Sequence, residues 1–283
     1  MITAFTIPKP FIGHSNIIQR NALKSWKASG ISDIFVFGDD EGVADVAKEY
    51  GAHHVPNVEK NEFGTPLLSS SFSTVQQIAK SNVIMYVNTD IIFFPQLLKA
   101  VQKISMPCFL LSGRRWDLEI KHEIDFSGTA WVDELQRKVE NEGKLHGFSG
   151  KDYFVFTRRS VNMPAFAVGR PGWDDWLIYD RRIKGIPVID ATKAITVVHQ
   201  KHDYTHSKFG ELKKVGGPEL KKNVELAGGL ANMMTLRNAD WMLDNTGLRR
   251  PKFPLRIYSV LSLCLPWRLL LGIIRRIRHP ECL

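Results

Sequence analysis

The residues of this chain best suited to chemistry are Asn88-Thr89-Asp90, which follow Val83-Ile84-Met85-Tyr86-Val87 and precede Ile91-Ile92-Phe93-Phe94-Pro95. A run of Val, Ile and Tyr reads as an interior strand of a covered sheet. A carboxylate just past the carboxyl end of such a strand stands where open α/β sheets bind ligands. There Asp90 can hold a divalent cation and Asn88 a sugar hydroxyl, the chemistry needed to grip a nucleotide diphosphate. The plainer reading is a turn in which both side chains bond to their own backbone.

Five other clusters carry polar chemistry. Gly38-Asp39-Asp40 ends an earlier apolar run, Ile34-Phe35-Val36-Phe37, so Asp39 and Asp40 can accept hydrogen bonds from a ribose or base edge; a solvated turn before a helix explains them equally well. Asn61-Glu62-Phe63-Gly64-Thr65-Pro66 offers Gly64 and Thr65, with free backbone N–H groups, as an anion site at a helix start; an ordinary capped helix explains it equally well. Gly113-Arg114-Arg115 places two guanidiniums at a strand end, suited to a diphosphate or an acidic sugar. In Gly169-Arg170-Pro171-Gly172-Trp173-Asp174-Asp175-Trp176, indoles that suit sugar faces flank two carboxylates able to take a proton from a hydroxyl. Successive helix positions diverge by about 100°, so one of Asp174 and Asp175 is expected to face a cleft; the competing reading makes Trp173 and Trp176 core anchors. Finally, Val198-His199-Gln200-Lys201-His202-Asp203-Tyr204-Thr205-His206 gathers histidines after a late strand. One of them joining Asp90 on a shared cation is more economical than a separate zinc site, whose spacing is absent.

The elements that must position these residues alternate. Strands are expected at Ile2 to Ile7, Ile34 to Phe37 and His53 to Val55, with helices from Asn16 to Ala28, from Val43 to Tyr50, and from Thr65-Pro66 onward, where Pro opens the first turn. That rhythm predicts a parallel sheet with helices on both faces. Later strands are expected at Phe109 to Gly113, Asp152 to Phe156, Val188 to Asp190 and Ala194 to Val198, and helices at Trp131 to Glu142, Trp173 to Lys184 and Pro218 to Leu226. The stretch from His199 to Gly247 otherwise reads as polar and Gly-containing.

At 283 residues and 44% hydrophobic, the chain can bury a full core. Its net charge of +9 admits phosphates or a membrane surface as partners, while no basic arm, zinc-finger spacing or aromatic RNA signature points to nucleic acid. Three scattered cysteines, Cys108, Cys264 and Cys282, fit a reducing compartment. The N-terminus lacks a signal-peptide pattern, so the expected location is cytoplasmic. Beyond residue 250 the composition changes. Ile257 to Leu265 is apolar, Pro266 interrupts it, and Trp267-Arg268-Leu269-Leu270-Leu271-Gly272-Ile273-Ile274-Arg275-Arg276-Ile277-Arg278 follows. Too broken to span, this basic amphipathic stretch (residues 251–283) suits the inner face of an anionic membrane; the alternative is a core-packing helix ending in solvated arginines.

With these residues in view, roughly residues 1–205 resemble the nucleotide-sugar-dependent glycosyltransferases of the GT-A fold, of the kind found in bacterial surface-polysaccharide synthesis. Asn88-Thr89-Asp90 stands in the place of that family's Asp-x-Asp motif, and Gly172-Trp173-Asp174-Asp175 is similar to its Gly-Trp…Glu-Asp acceptor loop. The resemblance implies a GT-A domain over residues 1–250, with Asp90 binding Mn²⁺ or Mg²⁺, His199 completing the metal shell, and Asp175 or Asp174 acting as base in an inverting single displacement. It implies donor contacts from Thr6, Pro8, Asp39, Asp40, Gly64, Thr65, Asn88, Arg114 and Arg115, and acceptor contacts from Asp152, Tyr153, Gly172, Trp173 and Trp176. The partners so implied are a UDP- or GDP-sugar and a glycan or lipid-linked acceptor. Asn88 departs from the motif, since an amide adds no charge. A non-catalytic membrane-associated sugar-binding protein is the alternative of a different class. A sugar-nucleotide pyrophosphorylase would need a Gly-rich basic loop where Thr6-Ile7-Pro8-Lys9-Pro10-Phe11 stands.

Overall fold

A computed structural model describes residues 1–202 and 217–278. The first third alternates as the spacing predicts: β1 (Thr3–Thr6), α1 (Gly13–Ala28), β2 (Asp33–Phe37), α2 (Val43–Glu49), β3 (His53–Val55), α3 (Leu68–Ile78) and β4 (Val83–Val87). Next come β5 (Ile91–Phe93), α4 (Gln96–Gln102), β6 (Leu110–Ser112), β7 (Trp116–Leu118), α5 (Ala130–Glu142), β8 (Lys144–Leu145), β9 (Tyr153–Thr157) and α6 (Trp173–Ile183). The last third holds β10 (Val188–Asp190), β11 (Val197–Gln200), α7 (Pro218–Leu226), β12 (Trp241–Asp244), β13 (Gly247–Arg249), α8 (Leu255–Leu261) and α9 (Leu265–Arg278).

Nine strands form the main sheet in the order β13-β12-β10-β6-β9-β4-β1-β2-β3. It is mostly parallel: β9 runs against β4 and β6, and β13 against β12, while the other neighbours are parallel. The two-residue period of a strand sorts its side chains to two cores. Ala4, Met85, Val87, Tyr153 and Val155 face one side, covered by Leu23 and Trp26 of α1, Val46 of α2 and Leu97 of α4. Phe5, Ile84, Tyr86, Phe154 and Phe156 face the other, covered by Phe72 and Val75 of α3 and Trp176 and Leu177 of α6. The fold is therefore α/β with helices on both faces. A smaller sheet, β5-β11-β7-β8, closes over Ile92, Phe94, Leu118 and the Trp131, Leu135 and Val139 face of α5.

Several boundaries differ from expectation. Pro66 is not in a first turn; it is bridged to Lys60, and α3 starts at Leu68. The strand expected from Ala194 to Val198 runs instead from Val197 to Gln200, so His199 lies on the strand. Between His199 and Gly247 the short strand β12 and the start of β13 extend the sheet edge. The C-terminal helices do not project as a separate tail. Ser259 and Ser262 are buried, and Gly272 of α9 lies against Ala231, where an added Cβ would meet that residue at 3.2 Å. Among the described residues no single helix is long and apolar enough to cross a membrane, and α8 and α9 are bent by 104°.

Candidate active site

β4 delivers Asn88, Thr89 and Asp90 to its carboxyl end, and β11 brings His199 to the same point. Thr6 and Thr89 share a buried hydrogen bond of 2.7 Å that ties the triplet to the end of β1. On the other flank the backbone of Gln200 donates to the carbonyl of Asp90 at 3.1 Å. The Gln200 amide is fixed in turn by Ile18 O and by Asn21 of α1. These bonds fix the backbone while the Asp90 side chain turns inward. Its Oδ2 lies 3.2 Å from Nε2 of His202 and 3.5 Å from Nε2 of His199. Its Oδ1 is buried and takes no hydrogen bond from the described residues.

Two imidazole nitrogens and a carboxylate oxygen, all within 4.8 Å of one another, make a donor set for a divalent cation. The buried, unpaired Oδ1 adds a second lone-pair site on the same group, so the residues present fit such an ion. In the protein alone, burial pushes the Asp90 carboxyl up, but His199 by charge and hydrogen bond, and then His202, outweigh it and hold it well below the usual carboxylate range. Burial likewise pulls the His199 imidazole down, and the Asp90 charge with the contacts to Asp117 and Asp90 reverses this, leaving it at about 9.

Behind the cluster stands Asp117 of β7, which sequence reasoning missed. It lies 3.1 Å from Nδ1 of His199, pairs with Nδ1 of His146 at 2.8 Å and accepts from Arg115 Nε at 3.0 Å. Burial raises its carboxyl, and the contacts of His199 and His146 with the Arg115 charge carry it the other way, well below the usual range. A carboxylate on the far nitrogen of a ligating imidazole orients the ring and makes it more basic. The other end of Arg115 reaches Asp152 Oδ2 at 2.6 Å. Asp152 Oδ1 accepts the Asn88 amide at 2.8 Å, and Asn88 Oδ1 accepts the Tyr86 hydroxyl at 3.0 Å. Arg115 is thus spent between carboxylates and does not point into open space for a diphosphate. Its neighbour Arg114 stacks on Phe148 (4.9 Å), beside Arg237 on the same ring (5.1 Å).

At the start of α6, Lys151 is buried, with its ammonium 2.7 Å from Asp174 and 2.5 Å from Asp175. Burial lowers that ammonium, but the two carboxylate charges dominate and raise it. Both first-turn side chains converge on the Lys151 ammonium, and each keeps part of its surface in solvent. Asp90, Asp152 and Asp174 all act electrostatically on the buried Tyr86 hydroxyl, which burial raises first and their charges raise further.

Other expected contacts are placed elsewhere. Trp173 packs edge-on against Tyr86 and Phe154, and Trp176 lies against Phe166, so both indoles are core anchors rather than sugar platforms. Tyr153 is fully buried and packs edge-on against Phe93, out of an acceptor's reach. Gly172 has a φ of 109° and caps α6, where a Cβ would press on Met233. Thr6 and Pro8 are buried, the former spent on Thr89. Asp39 is exposed and paired with Lys60 at 2.7 Å, with Asp40 alongside. The loop at Gly64 and Thr65 offers no anion nest: Asn61 Oδ1 accepts from the N–H groups of Phe63 and Thr65, and those of Leu67 and Leu68 go to Glu59 and Phe166. Asp203 and His206 lie outside the described residues.

No protein-family model and no curated protein matches the sequence. Among solved structures, glucosyl-3-phosphoglycerate synthase from M. tuberculosis is similar over 81% of this chain and 81% of its own, at 12% identity and a TM-score of 0.47. The same synthase in complex with Mn²⁺, uridine-diphosphate-glucose and phosphoglyceric acid gives 10% identity over 81% and 80%, with a TM-score of 0.44. TarS from S. aureus gives 10% identity over 72% of this chain and 59% of its own, with a TM-score of 0.42.

Proposed function

We propose that this chain is a GT-A type glycosyltransferase that moves a sugar from a UDP- or GDP-sugar to a hydroxyl of a glycan or lipid-linked acceptor. The observation that supports it most is the convergence of Asp90, His199 and His202 at the carboxyl end of β4, with a buried unpaired oxygen on Asp90. The paired carboxylates of Asp174 and Asp175 on Lys151 supply the group that would serve an acceptor hydroxyl. Asp90, His199 and His202 would hold Mn²⁺ or Mg²⁺, which when bound supplies positive charge beside a departing diphosphate.

The chain's own residues then divide the remaining work. Asn88, held by its bond to Asp152 Oδ1, borders the donor sugar. An acceptor oxygen forms its bond to the anomeric carbon as the bond from that carbon to the diphosphate oxygen breaks. Its proton passes to a carboxylate of the Asp174–Asp175 pair, and the bonding electrons leave with the diphosphate. One displacement inverts the anomeric centre. Lys151 balances one of the two negative charges at the start of α6 and fixes both side chains, leaving the pair net anionic and able to accept a proton.

The apolar faces of α8 and α9 and the arginines around them support association with the inner surface of an anionic membrane, where a lipid-linked acceptor would be found. The test of the catalytic reading is a panel of nucleotide sugars with Mn²⁺, followed by release of nucleoside diphosphate. Turnover that disappears in Asp90→Ala while the variant's melting stays cooperative supports it. If no nucleotide sugar is turned over, yet one stabilises the wild type against heat, the protein is a sugar-nucleotide binder instead.

A further inference from the structure

α6 carries the acceptor-side carboxylates at its start and Arg182 in its last turn, roughly 10 Å along the axis from Asp175 at 1.5 Å per residue. Arg182 is 7% exposed. One of its terminal nitrogens donates to Ser259 O at 2.9 Å and Ser259 Oγ at 3.1 Å, and the other pairs with Asp240. Its Nε is buried and has no partner among the described residues. Arg250, stacked 3.9 Å over Trp241, and Arg256 of α8 complete a cavity of about 270 Å³ with Pro251, Ser259 and Val260.

Three guanidiniums share one lining carboxylate here, and that carboxylate is already divided: Asp240 Oδ2 accepts from the backbone of Val188. The neighbouring Asp244 is taken by Arg249 at 2.6 Å. Burial, and then the like charge of Arg250, lower the Arg182 guanidinium to about 10. A cavity lined by surplus guanidiniums calls for an oxyanion, whose planar faces match the arginine fork.

The rim identifies the source of that anion. Val260 lines the cavity yet is 60% exposed, and Ile257 and Leu261, also exposed, share its face of α8 at helical spacing. Phe253, just before α8, is 78% exposed, and Leu269, Leu270 and Ile273 of α9 are open to solvent too. A dissolved phosphate compound has no use for an apolar rim, whereas a lipid headgroup arrives with acyl chains beside it. We infer that the cavity between Arg182, Arg250 and Arg256 seats the phosphate of an anionic phospholipid headgroup, with Phe253, Ile257, Val260 and Leu261 entering the acyl boundary. This rests on the membrane association proposed above and gives it a defined seat, at the far end of the helix that carries the acceptor carboxylates.

The test is flotation of the full chain on phosphatidylcholine vesicles with and without phosphatidylglycerol. The wild type is expected to float only with phosphatidylglycerol. Arg250→Gln with Arg256→Gln should weaken that binding about 100-fold through loss of charge-assisted hydrogen bonds. The same charge removed outside the cavity, Lys252→Gln with Lys222→Gln, should cost about tenfold or less. Cooperative melting of each variant controls for folding. Equal losses in the two double variants would overturn the seat and leave diffuse attraction. Failure of the wild type to float on either vesicle overturns the membrane reading together with it. Glycerol 3-phosphate that quenches Trp241 in an Arg250-dependent way, without flotation, would assign the cavity to a soluble phosphate instead. None of these outcomes depends on sugar transfer, so the catalytic reading stands or falls separately.

Discussion

Asn88 donates its amide to Asp152 Oδ1 at 2.8 Å while its own oxygen accepts from Tyr86, so the first residue of the triplet is bonded at both ends. An aspartate could not make the first of these bonds. It would face Asp152 as a second carboxylate, with one Arg115 guanidinium to serve both. The amide is therefore matched to its neighbour, and the negative charge on this side of the site resides on Asp152. Lys151, the residue before it, pairs with Asp174 and Asp175. Two consecutive residues thus join Asn88 to the first turn of α6.

Asn88→Asp is accordingly expected to destabilise the protein by about 1–3 kcal/mol near neutral pH, the cost of a lost bond and a like-charge contact. The deficit should shrink as the pH falls into the carboxylate range, where one of the pair takes a proton. Urea unfolding near pH 7 and near pH 4 measures it. A constant deficit would show that the two carboxylates turn apart.

The pH dependence of cation binding follows from His199. Its imidazole is raised from 6.5 to about 9 in the folded protein. Folding therefore takes up a proton there: the stability this contributes is complete below 6.5 and is lost as the pH rises through about 9. A cation needs the lone pair that this proton occupies, so Mn²⁺ affinity should climb across the same window, by up to about tenfold per pH unit for one proton released. Calorimetry in two buffers of different ionisation enthalpy counts that proton. A flat affinity across the window would remove His199 from the ligands.

Asp117 acts on the cation only through His199. Asp117→Asn should lower Mn²⁺ affinity about 10- to 100-fold, the usual effect of removing a carboxylate behind a ligating histidine. Asp90→Ala should abolish binding. Because two of three donors are imidazoles, Mn²⁺ should bind more tightly than Mg²⁺, which prefers oxygen and keeps its waters. Binding can be followed by the paramagnetic broadening of histidine ring resonances. Equal affinity in Asp117→Asn would make Asp117 a structural contact only.

The early strands and helices were legible because each carries a full period of buried residues between turn signals, as in Val83 to Val87 before Asn88. Asp90 and His199 were legible for the same reason, each standing at or near the end of such a run. Asp117 was not: Trp116-Asp117-Leu118 is three residues long, and its inward carboxylate is explained only by His146 and His199, which lie 29 and 82 positions later. Lys151 was hidden likewise, since a lysine in a glycine-flanked loop reads as solvated until α6 is folded against it. The tryptophans misled in the opposite direction. Their place beside two aspartates suggests a sugar platform, whereas position on α6 turns both toward Phe154, Phe166 and Tyr86.

That placement has its own consequence. Trp173→Ala should cost about 3–5 kcal/mol of stability, as removal of a packed indole does, and Trp173→Phe distinctly less. Michaelis constants for donor and acceptor should be unchanged in the phenylalanine variant. A rise in the acceptor constant without loss of stability would return Trp173 to the binding surface.

The division of labour between Asp174 and Asp175 can be resolved through their shared cation. Lys151→Met leaves two carboxylates facing each other without it. Breaking a fully buried pair costs about 3–5 kcal/mol. Here the carboxylates keep 22% and 24% of their surface in solvent, so a loss nearer about 2 kcal/mol is expected. Asp174→Asn and Asp175→Asn each keep one charge for Lys151, so both should stay folded while only one loses proton acceptance. The variant that removes the base should lose about 10²- to 10⁴-fold in kcat with little change in KM, and its low-pH limb of kcat should vanish. The other should keep that limb. If both variants keep both rate and limb, neither carboxylate takes the acceptor's proton, and single displacement assisted by this pair is excluded.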